Sequence, residues 1–399
     1  MNGHDHEPCR VSICGTGFIA RGLTLALQQH PQIRLHRVLT RRPLDSCTEF
    51  PRPDLLTQNT AEMLDDCDVV VECSGDVLHA SEVVATALEC GLPVVTMDAE
   101  FQVTTGSCFV GRGYLTEAEG DQPGSLAAFD REVREMGFRP VVYGNLKGFL
   151  DHNPAPESMQ MWATRQGISL TQVTSFTDGT KLQIEQALVA NGLGADILQT
   201  GLVGPRAGSV DAGAQQLAEL AASHNGPVSD YLLSDGHPLP AGVFIAATHE
   251  EAQQPFLKYL KMGDGDVYVM TRNYHLCHLE AIRTILSAWR REPALLTNSA
   301  EPRIGVAAIA KRPLRAGDFI ERGIGGFDVR GEAVRLDDEP NHLPIGLLQC
   351  ARLRHEVAPG EMLTADAVEL PDSLALRFYD ELQMSRLTAT AASSTSVLR

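Results

Sequence analysis

The stretch Arg10-Val11-Ser12-Ile13-Cys14-Gly15-Thr16-Gly17-Phe18-Ile19-Ala20-Arg21-Gly22 constrains the fold of this chain most: a short apolar strand runs into G-x-G-x-x-A and then into a helix of apolar periodicity. Gly15 permits the tight turn, Gly17 lets backbone approach a pyrophosphate, and Ala20 lets helix pack closely on strand. The helix N-terminus then faces the anion. Such a turn also exists without a ligand, but a second strand over residues 33–40 follows at the spacing of a βαβ unit. The expectation is a dinucleotide site with Gly15, Thr16, Gly17, Phe18 and Ile19 around the pyrophosphate.

The end of that second strand bears on the cofactor. A site for NAD usually places Asp or Glu there to accept the ribose hydroxyls, whereas this chain reads Val38-Leu39-Thr40-Arg41-Arg42. Two guanidinium forks and a hydroxyl suit a 2′-phosphate, so Thr40, Arg41 and Arg42 predict NADPH ahead of NADH. The plainer alternative is a solvated turn before Pro43.

With 399 residues, 43% hydrophobic and 21% charged, the chain has length for two or three domains with sizeable cores. No apolar run approaches the roughly 20 residues of a membrane span, and the opening residues lack the regions of a secretion signal, which makes the cytoplasm the expected compartment. Nine cysteines without a C-x-x-C pair read as small buried hydrophobes rather than a disulfide or thiolate-zinc framework. A formal net charge of -18 argues against nucleic acid or an anionic membrane as partner and makes local clusters of Lys and Arg more telling.

A doubly wound pattern continues with a short helix at 61–66, the apolar strand ending in Glu72-Cys73-Ser74-Gly75, a helix at 80–90 and a strand at 93–97. Ligands of such sheets sit at the strands' carboxyl ends, so Cys73, Ser74, Gly75, Asp98 and Glu100 are expected to border the nicotinamide. A helix over 125–137 and a strand over 140–143 are expected to close a dinucleotide-binding domain of residues 1–143. Residues 144–301 alternate strand-like runs (170–176, 266–271) with helices (181–191, 277–289), as an α+β catalytic domain does. Residues 302–387 read as a small β-rich domain followed by a helix, with Arg315-Ala316-Gly317-Asp318 and Ala358-Pro359-Gly360-Glu361 as matching turns. The tail 388–399, rich in Ser, Thr and Ala, is expected to be disordered.

The fold class expected is therefore α/β: an N-terminal Rossmann domain, a central α+β domain and a C-terminal β-rich domain. Three polar segments carry the candidate chemistry: Glu119-Gly120-Asp121-Gln122-Pro123, Gly144-Asn145-Leu146-Lys147, and Asp178-Gly179-Thr180-Lys181 with Glu185 one helical turn on. Asp178 at a helix start and a Lys181–Glu185 pair at i,i+4 also fit an N-cap and a helix ion pair. Hydride transfer to a carbonyl needs a proton donor for the developing alkoxide, and a lysine of depressed pKa serves without a metal. Lys147 and Lys181 are the candidates for that role, with Asp121 and Asp178 orienting substrate or holding a divalent ion. Gln122, Asn145, Thr180, Lys261, Arg272 and His275 are expected to contact substrate. His275 and His278 stand three apart, as metal ligands sometimes do, though a packed role fits their leucine neighbours better.

The Rossmann entry, Gly120-Asp121-Gln122-Pro123, Phe176-Thr177-Asp178-Gly179-Thr180-Lys181, Tyr259-Leu260-Lys261-Met262-Gly263-Asp264-Gly265, Tyr274-His275-Leu276 and Gly323-Ile324-Gly325-Gly326-Phe327 together resemble the homoserine-dehydrogenase-like oxidoreductases with a C-terminal SAF-type domain. That family includes deoxyxylulose-phosphate reductoisomerase-like enzymes, and the resemblance spans residues 8–380. It implies an NAD(P)-dependent dehydrogenase or reductase acting on a small phosphorylated or polyhydroxylated molecule, commonly as a homo-oligomer. Asp98-Ala99 stands where homoserine dehydrogenases carry Asn-Lys, which argues against homoserine. The single Lys147 stands where reductoisomerase-like members tend to read G-K-G-T-K. A rival expectation is a nucleotide-sensing scaffold; convergence of Lys147, Asp178 and Lys181 would discriminate against it.

Overall fold

The structure, a computed structural model, describes residues 7–396, with side chains through residue 386. Its first part interleaves β1 (Cys9–Cys14), α1 (Phe18–Gln28), β2 (Ile33–Leu39), β3 (Leu56–Thr57), α2 (Thr60–Leu64), β4 (Val69–Glu72), α3 (Val77–Glu89), β5 (Val94–Thr96), α4 (Ala99–Thr104) and β6 (Leu115–Glu117). These strands form one parallel sheet in the order β3-β2-β1-β4-β5-β6. That is the doubly wound order, and it reverses direction between β1 and β4, where such sheets open a crevice at the strands' carboxyl ends. β4 is buried along its whole length, as its unbroken valines require of a strand covered on both faces.

Next come α5 (Gln122–Glu135), β7 (Arg139–Lys147), α6 (Pro156–Gln166), α7 (Leu170–Thr177), α8 (Thr180–Leu193), β8 (Arg206–Ala207), α9 (Val210–Ala221), β9 (Val228–Ser234), β10 (Val243–Thr248), α10 (Gln254–Tyr259), β11 (Val267–Arg272) and α11 (Ala281–Trp289). A mixed sheet runs β11-β10-β7-β9-β8. Two of the sequence expectations change here. The strand expected to close the first sheet is the central strand of the second, because an apolar run shows that it is buried but not which neighbour it pairs with. Residues 170–176, expected as a strand, lie in α7 (Leu170–Thr177): Ser169 caps it, with Gln172 completing a capping box that outweighs the β-branched Thr171, Val173 and Thr174.

The last part contains β12 (Ile304–Ala310), β13 (Phe319–Arg322), β14 (Val329–Arg335), β15 (Gln349–Leu353), β16 (Val368–Glu369) and α12 (Leu374–Ser396). β12 pairs with β14, and β13, β15 and β16 form a second small antiparallel sheet. The two matching turns close on Arg315 and Ala358, and Leu314 and Val357 beside them exchange both backbone bonds at 3.0 Å. The tail expected to be disordered is helical through Ser396, since extending an existing helix costs far less than starting one; residues 397–399 lie outside the described part.

Both faces of the parallel sheet are covered partly by residues from far along the chain. Ala20, Leu23 and Leu27 of α1 share one face with Ala281, Ile285 and Ala288 of α11. Phe109 and α3 cover the other, joined by Phe378 of α12, whose ring meets Phe109 edge-on with centroids 4.9 Å apart. All nine cysteines are free, and among the described residues no helix is long and apolar enough to cross a membrane.

Candidate active site

The carboxyl edge of the parallel sheet builds a cradle. Gly15 has φ +119°, and a Cβ there would lie 2.8 Å from the Cys73 carbonyl oxygen, so this turn requires glycine. A Cβ on Gly17 would meet nothing within 4 Å. Gly17 begins α1 with no side-chain cap, which leaves the first-turn N–H groups of Phe18 and Ile19 facing that open space. Thr16 and Thr40 join through their hydroxyls at 3.1 Å. Arg41 donates to Asp76, the N-cap of α3, at 2.6 Å, while Arg42 is exposed. Ser74 turns back on Glu72, donating from its backbone at 2.8 Å and its hydroxyl at 2.6 Å. The open cradle and the uncapped helix fit a dinucleotide pyrophosphate.

Beside it lies a buried polar cluster. Glu72 ends β4, Asp98 caps α4 and Glu117 ends β6. Across from them, α8 presents Lys181 and Glu185 on one face, the start of α5 presents Asp121 and Gln122, and β7 presents Asn145 and Lys147. Lys181 Nζ donates to Glu100 at 2.9 Å and stands 3.6 Å from Asp121. Glu185 accepts from Asn145 at 3.0 Å and lies 3.8 Å from Lys147, whose ammonium is 3.4 Å from Gln122 Oε1. The helix ion pair between Lys181 and Glu185 is thus not made; each has partners on other elements.

Six carboxyls meet two ammonium groups here, most of them buried, and they cannot all be charged. Burial pushes Glu72 and Glu185 up to about 7. Burial, then Glu72 and Glu100, holds Asp98 well above the carboxylate range; burial and Asp121 do the same for Glu117. Glu100 is the exception: burial works to raise it, but Lys181 holds it below its ordinary value. For Lys181, burial works to lower the pKa, yet Asp121, Glu100 and Glu185 outweigh it and keep the ammonium protonated well above the ordinary lysine range. The expectation of a depressed lysine is therefore corrected, because the surrounding acids supply more stabilisation than desolvation removes. Asp98 Oδ2, Asn145 Oδ1 and both Glu117 oxygens are buried with no hydrogen-bond partner, so the cluster retains unmet hydrogen-bonding capacity.

Other candidates are placed elsewhere. Asp178 pairs with Lys311 at 2.6 Å, both side chains wholly buried, and accepts from the Thr180 N–H. It binds the α7–α8 corner to the C-terminal part rather than joining the cluster, a difference of facing that residue spacing does not reveal. Thr180 accepts from the Gly331 N–H and so faces away from the site. Arg272 is consumed by Glu119 at 3.0 Å and Glu132 at 2.7 Å. Lys261 stands on an exposed left-handed loop beyond α10, with φ 68°, and no described bond ties it to the cluster. His275 does border it: burial lowers its pKa against the pull of Asp121, and its ring lies 3.8 Å from Cys277 Sγ, a thiol that burial raises to about 12. Of the three groups whose convergence was to discriminate, Lys147 and Lys181 converge and Asp178 does not. Glu72 and Glu117 are site residues that the sequence reading misses, although an acid ending an apolar parallel strand is a signal for both, and Glu185, read as a possible ion-pair partner of Lys181, joins the cluster through Asn145 and Lys147 instead. Among the described residues no three His, Cys, Asp or Glu side chains are placed to hold a metal ion, and His278 packs against Gly22.

Comparison with known proteins adds two domain matches. Residues 15–104 match the NAD-binding domain of homoserine dehydrogenase, and residues 120–281 match the catalytic domain of oxidoreductase DRL. No curated protein matches the chain. Among solved structures, a myo-inositol dehydrogenase from Corynebacterium glutamicum ATCC 13032 is 11% identical, with 71% of this chain and 89% of that chain covered at a TM-score of 0.43. GenD2 from gentamicin A biosynthesis, in complex with NAD, is 17% identical over 75% of this chain and 91% of that one, at a TM-score of 0.37. Biliverdin reductase from Synechocystis sp. PCC 6803, in complex with biliverdin and NADP+, is 16% identical over 37% and 49%, at a TM-score of 0.28. Likenesses of this size carry no argument about substrate.

Proposed function

We propose that this chain, an NAD(P)-dependent oxidoreductase, uses NADPH to reduce the carbonyl of a small phosphorylated or polyhydroxylated substrate, or oxidises the corresponding alcohol. The observation that carries the reading is Lys181: a buried ammonium held between Glu100 and Asp121 at the carboxyl edge of a parallel sheet, where the nicotinamide of such folds lies. When bound, the cofactor supplies or accepts the hydride. Gly15, Gly17 and the first turn of α1 would hold its pyrophosphate, and Arg41 and Arg42 its 2′-phosphate.

The protein's own groups then divide the remaining work. Lys181, cationic throughout the working pH range, donates a hydrogen bond to the substrate oxygen and stabilises the charge that develops on it. A lysine held so strongly protonated is a poor source of a free proton, whereas a carboxyl near 7 exchanges one readily. Glu185, raised to about 7, fills that role and is adjoined by Lys147 and Asn145. Lys147, partly exposed beside Gln122, meets a substrate anion at the mouth. A reductoisomerase of the deoxyxylulose-phosphate type is the finer form of this proposal; it is supported by the sequence resemblance, while the match to the catalytic domain of oxidoreductase DRL supports an oxidoreductase.

The test begins with fluorescence titration of NADPH and NADH side by side on the wild type and Arg41→Ala. NADPH should bind more tightly, and the preference should collapse in the variant. Ketose phosphates are then screened for NADPH oxidation, with and without Mg²⁺. Failure to bind either nucleotide overturns the proposed cradle; binding without turnover of any phosphorylated or polyhydroxylated carbonyl overturns the substrate class.

A further inference from the structure

Residues 180–190 of α8 are all buried, and its two polar faces do different things. One presents Lys181 and Glu185 to the cluster. The other presents Thr180 and Gln183 to β14, which pairs with β12 along one edge. Along its other edge, the Gly331 N–H donates to Thr180 Oγ1 at 2.9 Å and the Ala333 N–H to Gln183 Oε1 at 2.8 Å. Side chains of a helix thereby satisfy an edge that would otherwise lie open. Gln183 also donates to the Gly201 carbonyl at 2.6 Å, and Gly201 in turn donates to the Ala333 carbonyl at 2.9 Å.

The start of the same helix is fixed a second time. Lys311, directly after β12, donates to Asp178 at 2.6 Å and to the Gly326 carbonyl at 2.9 Å, with its ammonium 5.9 Å from the centre of the Phe327 ring. Asp178 holds the Thr180 N–H at 2.9 Å, one residue before Lys181. A Cβ on Gly325 would collide with the Thr171 backbone at the start of α7, so the C-terminal loop approaches the helix that leads into α8 as closely as glycine allows. A buried ion pair of this kind contributes little net stability, but it fixes geometry, because neither charge tolerates loss of the other.

We infer that the C-terminal β-rich part is a positioning device for the active site: Lys311 with Asp178, and β14 with Thr180 and Gln183, set the place of Lys181 and Glu185 in the cluster. The inference rests on the reading of Lys181 and Glu185 as the working groups. It gives Asp178, excluded from the cluster, a role one turn behind it, and makes Lys311 a positioning residue.

The test reads the Glu185 carboxyl directly. Infrared titration of the full chain follows the protonated-carboxyl band against pH, with Glu185→Gln identifying the Glu185 component. The wild type should show a component titrating near 7 that Glu185→Gln removes. In Lys311→Met/Asp178→Asn, which removes both charges together, that midpoint should move by at least about half a pH unit, with NADPH titration of the Rossmann cradle unchanged. An unmoved midpoint in a folded double variant overturns the inference. Should the double variant not fold, Thr180→Val, which removes the Gly331 contact at constant volume, is read by the same criterion. A wild type lacking the component overturns the reading of Glu185 itself, a separate failure.

Discussion

Replacing Lys181 by Met removes the ammonium from between Glu100 and Asp121. The expected result is a loss of about 10²- to 10⁴-fold in kcat with NADPH affinity retained, read by steady-state kinetics beside cofactor titration. The proton supply should titrate separately. Glu185 holds its proton below about 7, so carbonyl reduction should slow as pH rises through that value, and Glu185→Gln should lose this limb of the pH–rate profile. Glu117 gives a stability counterpart. Its folded pKa is raised above the ordinary 4.5, so the folded state holds the proton more tightly than the unfolded chain; stability is present below 4.5 and lost as pH rises. Glu117→Gln removes that loss, and its urea midpoint should exceed the wild type's at about pH 8 by more than at about pH 5. At this scale the sequence places Lys147, Lys181, Asp121, Gln122 and Asn145 in glycine-flanked segments that the structure brings together. It misleads on Asp178, Thr180 and Arg272, because residue type and spacing say nothing about which neighbour a side chain faces.

The turn from β1 into α1 separates two uses of glycine within three residues. Gly15→Ala forces a side chain toward the Cys73 carbonyl at a left-handed φ, and should cost about 1–3 kcal/mol in chemical denaturation whether or not cofactor is present. Gly17→Ala adds a methyl to open space. It should leave stability nearly unchanged while weakening NADPH binding, measured by fluorescence titration. Elements of this kind, with tight turns and strong periodicity, are legible in sequence, as β1, α1, β2, β4, α3 and β12 show. α7 was not legible, because its β-branched residues suggest a strand while the Ser169–Gln172 capping box decides for a helix. β7 was legible as a strand and misassigned as to sheet, since pairing partners are a tertiary fact.

For the whole molecule, α11 and α12 tie the ends of the architecture together. Phe378 packs against Phe109, the Cys108 thiol donates to the Phe378 carbonyl at 3.1 Å, and Arg112 pairs with Glu381 at 3.1 Å. Phe378→Ala should therefore cost about 3–5 kcal/mol of stability and shift the thermal transition down as a whole, without splitting it in two, as calorimetry would record. The same stitching also orders events during synthesis. The parallel sheet starts at Cys9, yet Ile285 and Phe378, which complete its two faces, leave the ribosome on the order of tens of seconds later at the usual rate of translation. The nucleotide-binding part, made first, is completed last: a nascent chain that stops short of Phe378 leaves Phe109 without its edge-on aromatic partner on that face.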